Sequence, residues 1–268
     1  MSKTTEIEVK FGGGRVLSSE VKDRICRLVV EVEEGKDENS IMLKEINSIP
    51  RKKEIYDPFV LIPASKLSLT DDFMRHTPKT KSEEELRKEL VEVIRTRVPD
   101  FYRPRLDPSL DKQGKICYQA GLNPAVGESY NWWEENAKEF CPERKSRLGT
   151  KSEYVAFLGV LLKKLVASGW SIADAWNAVC NDSWELGHYR NSESALYNFE
   201  PTGSREICGF CDLGNTFKIV AEDKEAGGFW IAGGEYIDDG SDNPLNGLEH
   251  SIYRYGGYFY GVGWLVLS

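Results

Sequence analysis

Gly209-Phe-Cys-Asp-Leu-Gly-Asn-Thr-Phe-Lys-Ile-Val220 is where the texture of this chain changes. Asp212-Leu-Gly-Asn215 is a turn by composition, and Thr216 to Val220 is apolar and β-branched enough for a short strand. Upstream the pattern is helical. Leu86, Leu90, Val91 and Ile94 recur at three- and four-residue spacing and predict a helix over Lys81 to Arg97, stopped by Pro99. Ser152 to Ala167 reads as an amphipathic helix, with Thr150 and Glu153 placed as a capping box and Gly169 closing it. Ser171 caps a further helix, Ile172 to about Leu186, with Ala175, Trp176 and Val179 on one face. Downstream, short β segments follow one another at Gly228 to Ala232, Ser251 to Tyr255, Tyr258 to Tyr260 and Trp264 to Leu267. Helices followed by a meander of short strands predict an α+β domain.

Working outward, Phe59-Val-Leu-Ile62 before Pro63 is a buried strand, and the domain is taken to span 59–268 with an insertion at about 80–150. Within that insertion Asn131 to Phe140 is helical and the rest, rich in Pro and Gly, has no clean period. Residues 1–58 read as a β-rich extension: Glu6 to Phe11 alternates, Gly12 to Gly14 supplies a turn, and Ile25 to Val32 returns as the second strand.

The chain has 268 residues and a net charge of −8, which disfavours a general phosphate-binding surface and hence nucleic acid as a partner. The start is polar and no run reaches the length of a membrane-spanning helix, so the expectation is no membrane insertion, with a cytoplasmic location or export by a route other than Sec. Cys208-Gly-Phe-Cys211 is the one close pair among six cysteines and lacks a second pair to complete a zinc site. It is read as buried thiols or a local disulfide rather than a metal centre. No phosphate loop, zinc-protease helix or nucleophile elbow is present, so nothing nominates a catalytic acid or base and no cofactor is expected.

The aromatics are unevenly placed: nine of 30 lie in the 36 residues from Phe229 to Trp264. Of the 25 residues from Tyr236 to Tyr260, 16 are Tyr, Ser, Gly, Asn or Asp, and no Lys follows Lys224. That is the vocabulary of recognition loops, in which Tyr gives rigid contact area and Ser, Gly and Asn give adaptable hydrogen bonds. If Gly256-Gly257 forms a two-residue turn, Tyr255 faces Tyr258 and Tyr253 faces Tyr260, and all four line one surface. Asp238-Asp-Gly-Ser-Asp-Asn243 could gather a hard cation but lacks calcium-loop spacing, and is read as a polar turn. The candidate binding residues are Tyr236, Asp238, Asp239, Ser241, Asp242, Asn243, Asn246, His250, Ser251, Ile252, Tyr253, Arg254, Tyr255, Tyr258, Phe259 and Tyr260, with Phe229, Trp230 and Trp264 as bordering scaffold.

Several blocks, taken in order, resemble the formylglycine-generating enzyme branch of the C-type lectin fold: Phe59 to Leu67, Tyr154 to Leu158, Ser171 to Trp176, Gly209 to Val220, Gly233-Gly234 and Gly263 to Leu267. The resemblance implies two helices packed on short antiparallel strands. The enzyme of that family binds copper through a late cysteine pair, and here no Cys follows Cys211, so the oxidase activity is not carried over. A calcium-dependent sugar lectin is the other alternative, but Asp242-Asn-Pro244 only loosely echoes the ligand tripeptide of that group.

The same fold serves the variable proteins of diversity-generating retroelements, in which adenine-directed copying rewrites a C-terminal region. Template Asn codons ending in a pyrimidine cannot give Lys, Glu, Gln, Met or Trp. Neither the eleven residues His250 to Tyr260 nor Tyr236 to Asn243 contain any of these five. The chain is most similar to the archaeal variable proteins. That resemblance implies a non-enzymatic binder with a variable region at about 228–268 and a macromolecular ligand, a protein or glycan of the kind displayed on a cell surface.

Overall fold

The computed structural model describes residues 14–22, 25–32, 59–187, 201–203, 205–222, 228–233, 244–251 and 261–268. The chain divides into two compact units, Met1–Glu54 and Ile55–Ser268.

In the first unit, β1 (Gly14–Lys22) and β2 (Ile25–Val32) form an antiparallel pair with Lys22 opposite Ile25 and Gly14 opposite Val32. Ile25–Val32 is a strand as expected, but its partner is Gly14–Lys22 rather than Glu6 to Phe11, and the two meet across a two-residue connection after Lys22 rather than at Gly12 to Gly14. Gly14 opens β1 instead of ending a turn, because Val16 to Lys22 supplies a longer partner for the β-branched run of β2. Glu6 to Phe11, the strand expected from sequence, lies outside the described residues.

The second unit is mixed α+β, with four α-helices and small sheets among the described residues. In chain order it contains β3 (Phe59–Ile62), α1 (Lys81–Thr96), β4 (Phe101–Pro104), β5 (Ser109–Leu110), β6 (Ile116–Cys117), α2 (Tyr130–Phe140), β7 (Arg147–Leu148), α3 (Lys151–Ala167) and α4 (Ile172–Cys180). These are followed by β8 (Glu206–Ile207), β9 (Phe210–Cys211), β10 (Phe217–Ala221), β11 (Phe229–Ala232), β12 (Leu248–Ser251), β13 (Gly261–Gly263) and β14 (Leu265–Val266). The largest sheet has the order β12-β11-β10-β13, antiparallel except where β13 runs parallel to β10. The remaining pairs, β3 with β4, β5 with β6, β7 with β14 and β8 with β9, are antiparallel.

Each α-helix begins on a side-chain cap. Thr80, Ser129, Thr150 and Ser171 accept from the third residue onward, and Thr150 with Glu153 forms the reciprocal box read from sequence. Helix α3 departs from expectation: Tyr154 through Leu162 are all buried, so the helix is not amphipathic but central. It is enclosed because α1 and α4 pack on it and β10 lies against it. The core therefore includes Leu86, Leu90 and Val93 from α1 together with Leu158, Leu161 and Trp176. The 80–150 stretch is built into this core. Its second helix, α2, anchors an adjoining cluster through Trp133, with Phe229, Val262 and Leu265. Helix α4 ends at Cys180, short of the expected Leu186. The Asn177 carbonyl accepts from both Asn181 and Asp182, and the Ser183 hydroxyl is drawn away to the amide of Leu245.

Two glycines are demanded by close approach. A Cβ on Gly149 would overlap the Trp264 ring, and one on Gly263 would overlap the indole of Trp133. Gly263→Ala is accordingly expected to lower unfolding free energy by about 1–3 kcal/mol, the usual range for overpacking a core. Urea denaturation with an unchanged m-value would check it.

Candidate ligand-binding surface

The described part of the C-terminal surface is a frame tied to the core at several points. At the end of β11 the Gly233 amide donates to the Gly247 carbonyl at 2.9 Å, and the Gly247 amide donates to Pro244 O at 2.9 Å. Between them, Leu245 is 1% exposed. Its amide donates to Ser183 Oγ at 2.9 Å, and its carbonyl accepts from the buried Tyr154 hydroxyl at 2.8 Å. Asn246 donates its amide to Val179 O at 3.2 Å and its side-chain Nδ2 to Ser82 Oγ at 2.8 Å. Ser82 in turn donates to Cys180 O at 2.7 Å. Residues 244–247 are thus held by α1, α3, α4 and the Ser183 turn together.

From this loop β12 runs along β11, pairing Ala232 with Leu248, Trp230 with His250 and Phe229 with Ser251. The His250 ring lies edge-on to Trp230 at 5.0 Å, and its Nε2 pairs with Glu222 Oε1. Lys151 Nζ sits 4.5 Å from the centre of the same indole and 2.5 Å from Glu89 Oε1. Charged and aromatic side chains therefore alternate from α1 through α3 to β12. Phe229 and Trp264 are buried, and Trp230 is half-buried between Lys151 and His250.

Of the residues expected to bind, Asn246 is placed as a half-buried anchor, His250 as an exposed position on β12, and Ser251 at the end of that strand. Tyr236, Asp238, Asp239, Ser241, Asp242 and Asn243, and Ile252, Tyr253, Arg254, Tyr255, Tyr258, Phe259 and Tyr260, lie outside the described residues, as does the proposed turn at Gly256-Gly257.

A second constellation is one that sequence reading misses. Lys218 on β10 is 4% exposed and donates to both carboxylate oxygens of Asp107, at 2.7 and 2.9 Å, and to Thr216 O at 2.9 Å and Asp212 O at 3.1 Å. The Thr216 hydroxyl adds a 2.7 Å bond to Asp107. The Asp212 carboxylate accepts from the amides of Asp107 at 3.0 Å and Gly203 at 2.9 Å. Arg103, 2% exposed, lies over the rings of Phe157 and Phe210 at 4.3 and 5.1 Å, and donates Nε to Pro104 O at 2.8 Å. Burial lowers the Lys218 ammonium, with Asp107 opposing it, and lowers the Arg103 guanidinium to about 10. Asp212 moves the other way: burial first, and then the charge of Asp107, push its carboxyl up to about 7. Such displaced groups often mark active sites. Here Arg103, Asp107, Asp212 and Lys218 are at most 4% exposed; the last three are bonded to one another and Arg103 is packed over Phe157 and Phe210, so the group fastens residues 103–107, 203 and 212–218 together. The signal available in sequence was a lone Lys at the middle of an apolar strand, which pattern alone assigns to an exposed face.

Cys208 and Gly209 are the two turn residues between the paired Ile207 and Phe210, with φ of 52° and 85°, a primed hairpin turn. Cys208 and Cys211 are both free thiols, so the local disulfide is not formed. Among the described residues no group of three or more His, Cys, Asp or Glu is arranged to hold a metal, and no helix is long and apolar enough to cross a membrane. Compared with protein-family models, curated proteins and solved structures, the chain matches none.

Two outcomes follow from these placements. Asn246→Ala should cost about 1–2 kcal/mol by breaking the tie to Ser82, whereas His250→Ala should stay within about 0.5 kcal/mol, as read by chemical denaturation. Asp212 has a folded pKa above its unfolded value, so it favours the folded state most at low pH and progressively less as pH rises from about 4 to about 7. Asp212→Asn should therefore reduce the loss of melting temperature between about pH 5 and about pH 8 that this group causes in the native chain.

Proposed function

We propose that this chain is a non-enzymatic ligand-binding protein on a C-type-lectin scaffold of the formylglycine-generating enzyme type, with a C-terminal surface rewritten by a diversity-generating retroelement. The observation that carries the reading is a coincidence of alphabet and anchorage. The two stretches written in the recognition alphabet, 236–243 and 250–260, are bounded by Gly233, by the loop 244–247 and by Gly261, all fastened to the core. Binding residues borne on segments between rigid elements are the common arrangement for recognition. Sequence change between such anchors leaves the bonds of Tyr154, Ser183 and Ser82 in place.

The ligand in this reading is a macromolecule, protein or glycan, and no cofactor takes part. The copper-oxidase reading has no late cysteine pair to stand on, since the last thiol is Cys211.

The decisive observation is genetic: a neighbouring reverse-transcriptase gene and an imperfect repeat of the codons for residues 228–268 that differs only at adenines. A repeat differing at all four bases would sink the retroelement reading. On the protein, replacing Tyr253, Tyr255, Tyr258 and Tyr260 together by Ser should shift stability by no more than about 0.5 kcal/mol per site. A collapse of the melting transition would assign those tyrosines to the core instead.

A further inference from the structure

We propose that the open groove beside α4 is a binding site for basic side chains, and that its occupant is a peptide segment rich in Lys or Arg. The groove has a volume of about 560 Å³ and is lined by Trp170, Asp174, Asn177, Asp182, Trp184 and Glu185, with no Lys, Arg or His among the described lining residues. That volume is in the range of ligand pockets. Trp184 is the notable member. It is 45% exposed, one of the few large apolar side chains left in solvent, and it stands on the wall of this groove.

An indole face carries negative electrostatic potential, and three carboxylates share the same volume. Together they favour an ammonium or guanidinium group over a neutral or anionic one. The groove is also held open in advance of any ligand. The Trp184 amide donates to Asp182 Oδ1 at 3.1 Å, and Leu186 and Gly187 donate back to Ser183 O at 2.9 and 3.1 Å. Arg205 clamps the same turn from behind, donating to the carbonyls of Trp184 at 3.4 Å and Gly187 at 2.7 Å, and to that of Glu185. This nearby cation is engaged by backbone oxygens, including that of Glu185 itself. Asp174 accepts the Ser171 hydroxyl at 2.6 Å, which fixes its carboxylate at the head of α4. A neutral sugar could stack on Trp184, but it would draw only hydrogen bonds from three carboxylates, where a cation also draws their charge. The inference does not rest on the C-terminal reading, since every groove-lining residue lies between Gly169 and Glu185.

The test titrates the full chain with acetylated hexa-arginine, and in parallel with maltotriose, by isothermal calorimetry at low and at raised salt. Binding of hexa-arginine, weakened by salt, is expected. Trp184→Ala and the double variant Asp182→Asn with Glu185→Gln should each weaken it about tenfold, with circular dichroism unchanged. Because the whole chain carries −8, a control is needed on another acidic face. Glu84→Gln with Glu92→Gln, on the outer side of α1, should change affinity less than about twofold. Equal losses in the control, no loss in Trp184→Ala, binding of maltotriose in place of the peptide, or no binding of hexa-arginine would each overturn the proposal.

Discussion

Residue 149 has no side chain, and the joining of the sheets in the larger unit depends on that. The six-membered ring of Trp264 occupies the space a Cβ there would take. The backbone at this point is shared three ways: Gly149 donates to Trp264 O at 2.8 Å, Trp264 donates to Ile219 O at 3.0 Å, and Ala221 donates to Gly149 O at 2.8 Å. One contact thus ties β7, β10 and the β13–β14 junction at the head of α3. Around it Phe101, Tyr154 and Phe157 close on the indole at 5.9, 5.3 and 6.1 Å. The indole N–H groups of Trp264 and Trp133 are buried without acceptors among the described residues, a cost that shape complementarity has to offset. Backbone hydrogen bonds and ring packing together specify this junction, with no polar pairing of the two indoles among the described residues.

Much of this architecture is legible because its signals are local. Caps at Thr150 and Ser171 and the spacing of Leu86 and Leu90 depend on neighbours within a turn or two, and the helices begin at or within a residue of where those signals place them. What escapes is what depends on residues distant in sequence. The burial of α3 on all sides follows from α1 and α4 arriving against it, and the early end of α4 follows from Ser183 meeting Leu245. Lys218 reads as solvent-facing until Asp107 is brought beside it. For the candidate binding surface, residue vocabulary marks out a region without separating anchor from contact. Asn246 sits among candidate contacts in sequence, yet its side chain is tied to Ser82.

The unit keeps its charges in two different settings. Arg103, Asp107, Asp212 and Lys218 are enclosed and matched to one another, an arrangement that is expensive to disturb because removing one partner strands another in low dielectric. Glu89 and His250 lie at the surface beside Trp230, paired with the more covered Lys151 and Glu222, so water partly screens both pairs and substitutions at Glu89 and His250 are cheap. The first setting preserves the scaffold, and the second leaves the face beside the C-terminal segments open to change.

The pairing of β13 and β14 has a consequence for how the unit comes to exist. Leu265 and Val266 pair with β7, Leu267 bridges to Tyr102, and Gly261 to Gly263 complete the edge of the sheet beside β10. A growing chain has made every one of those partners long before it reaches residue 261. Until then the edge of β10, the slot over Gly149 and the face of Trp133 have nothing to cover them. Contacts this distant in sequence close slowly, and sheet edges left waiting are where nascent chains adhere to one another. Pairing of residues 261–267 with partners at 102, 147–148 and 217–219 is therefore the long-range step on which closure of these edges depends.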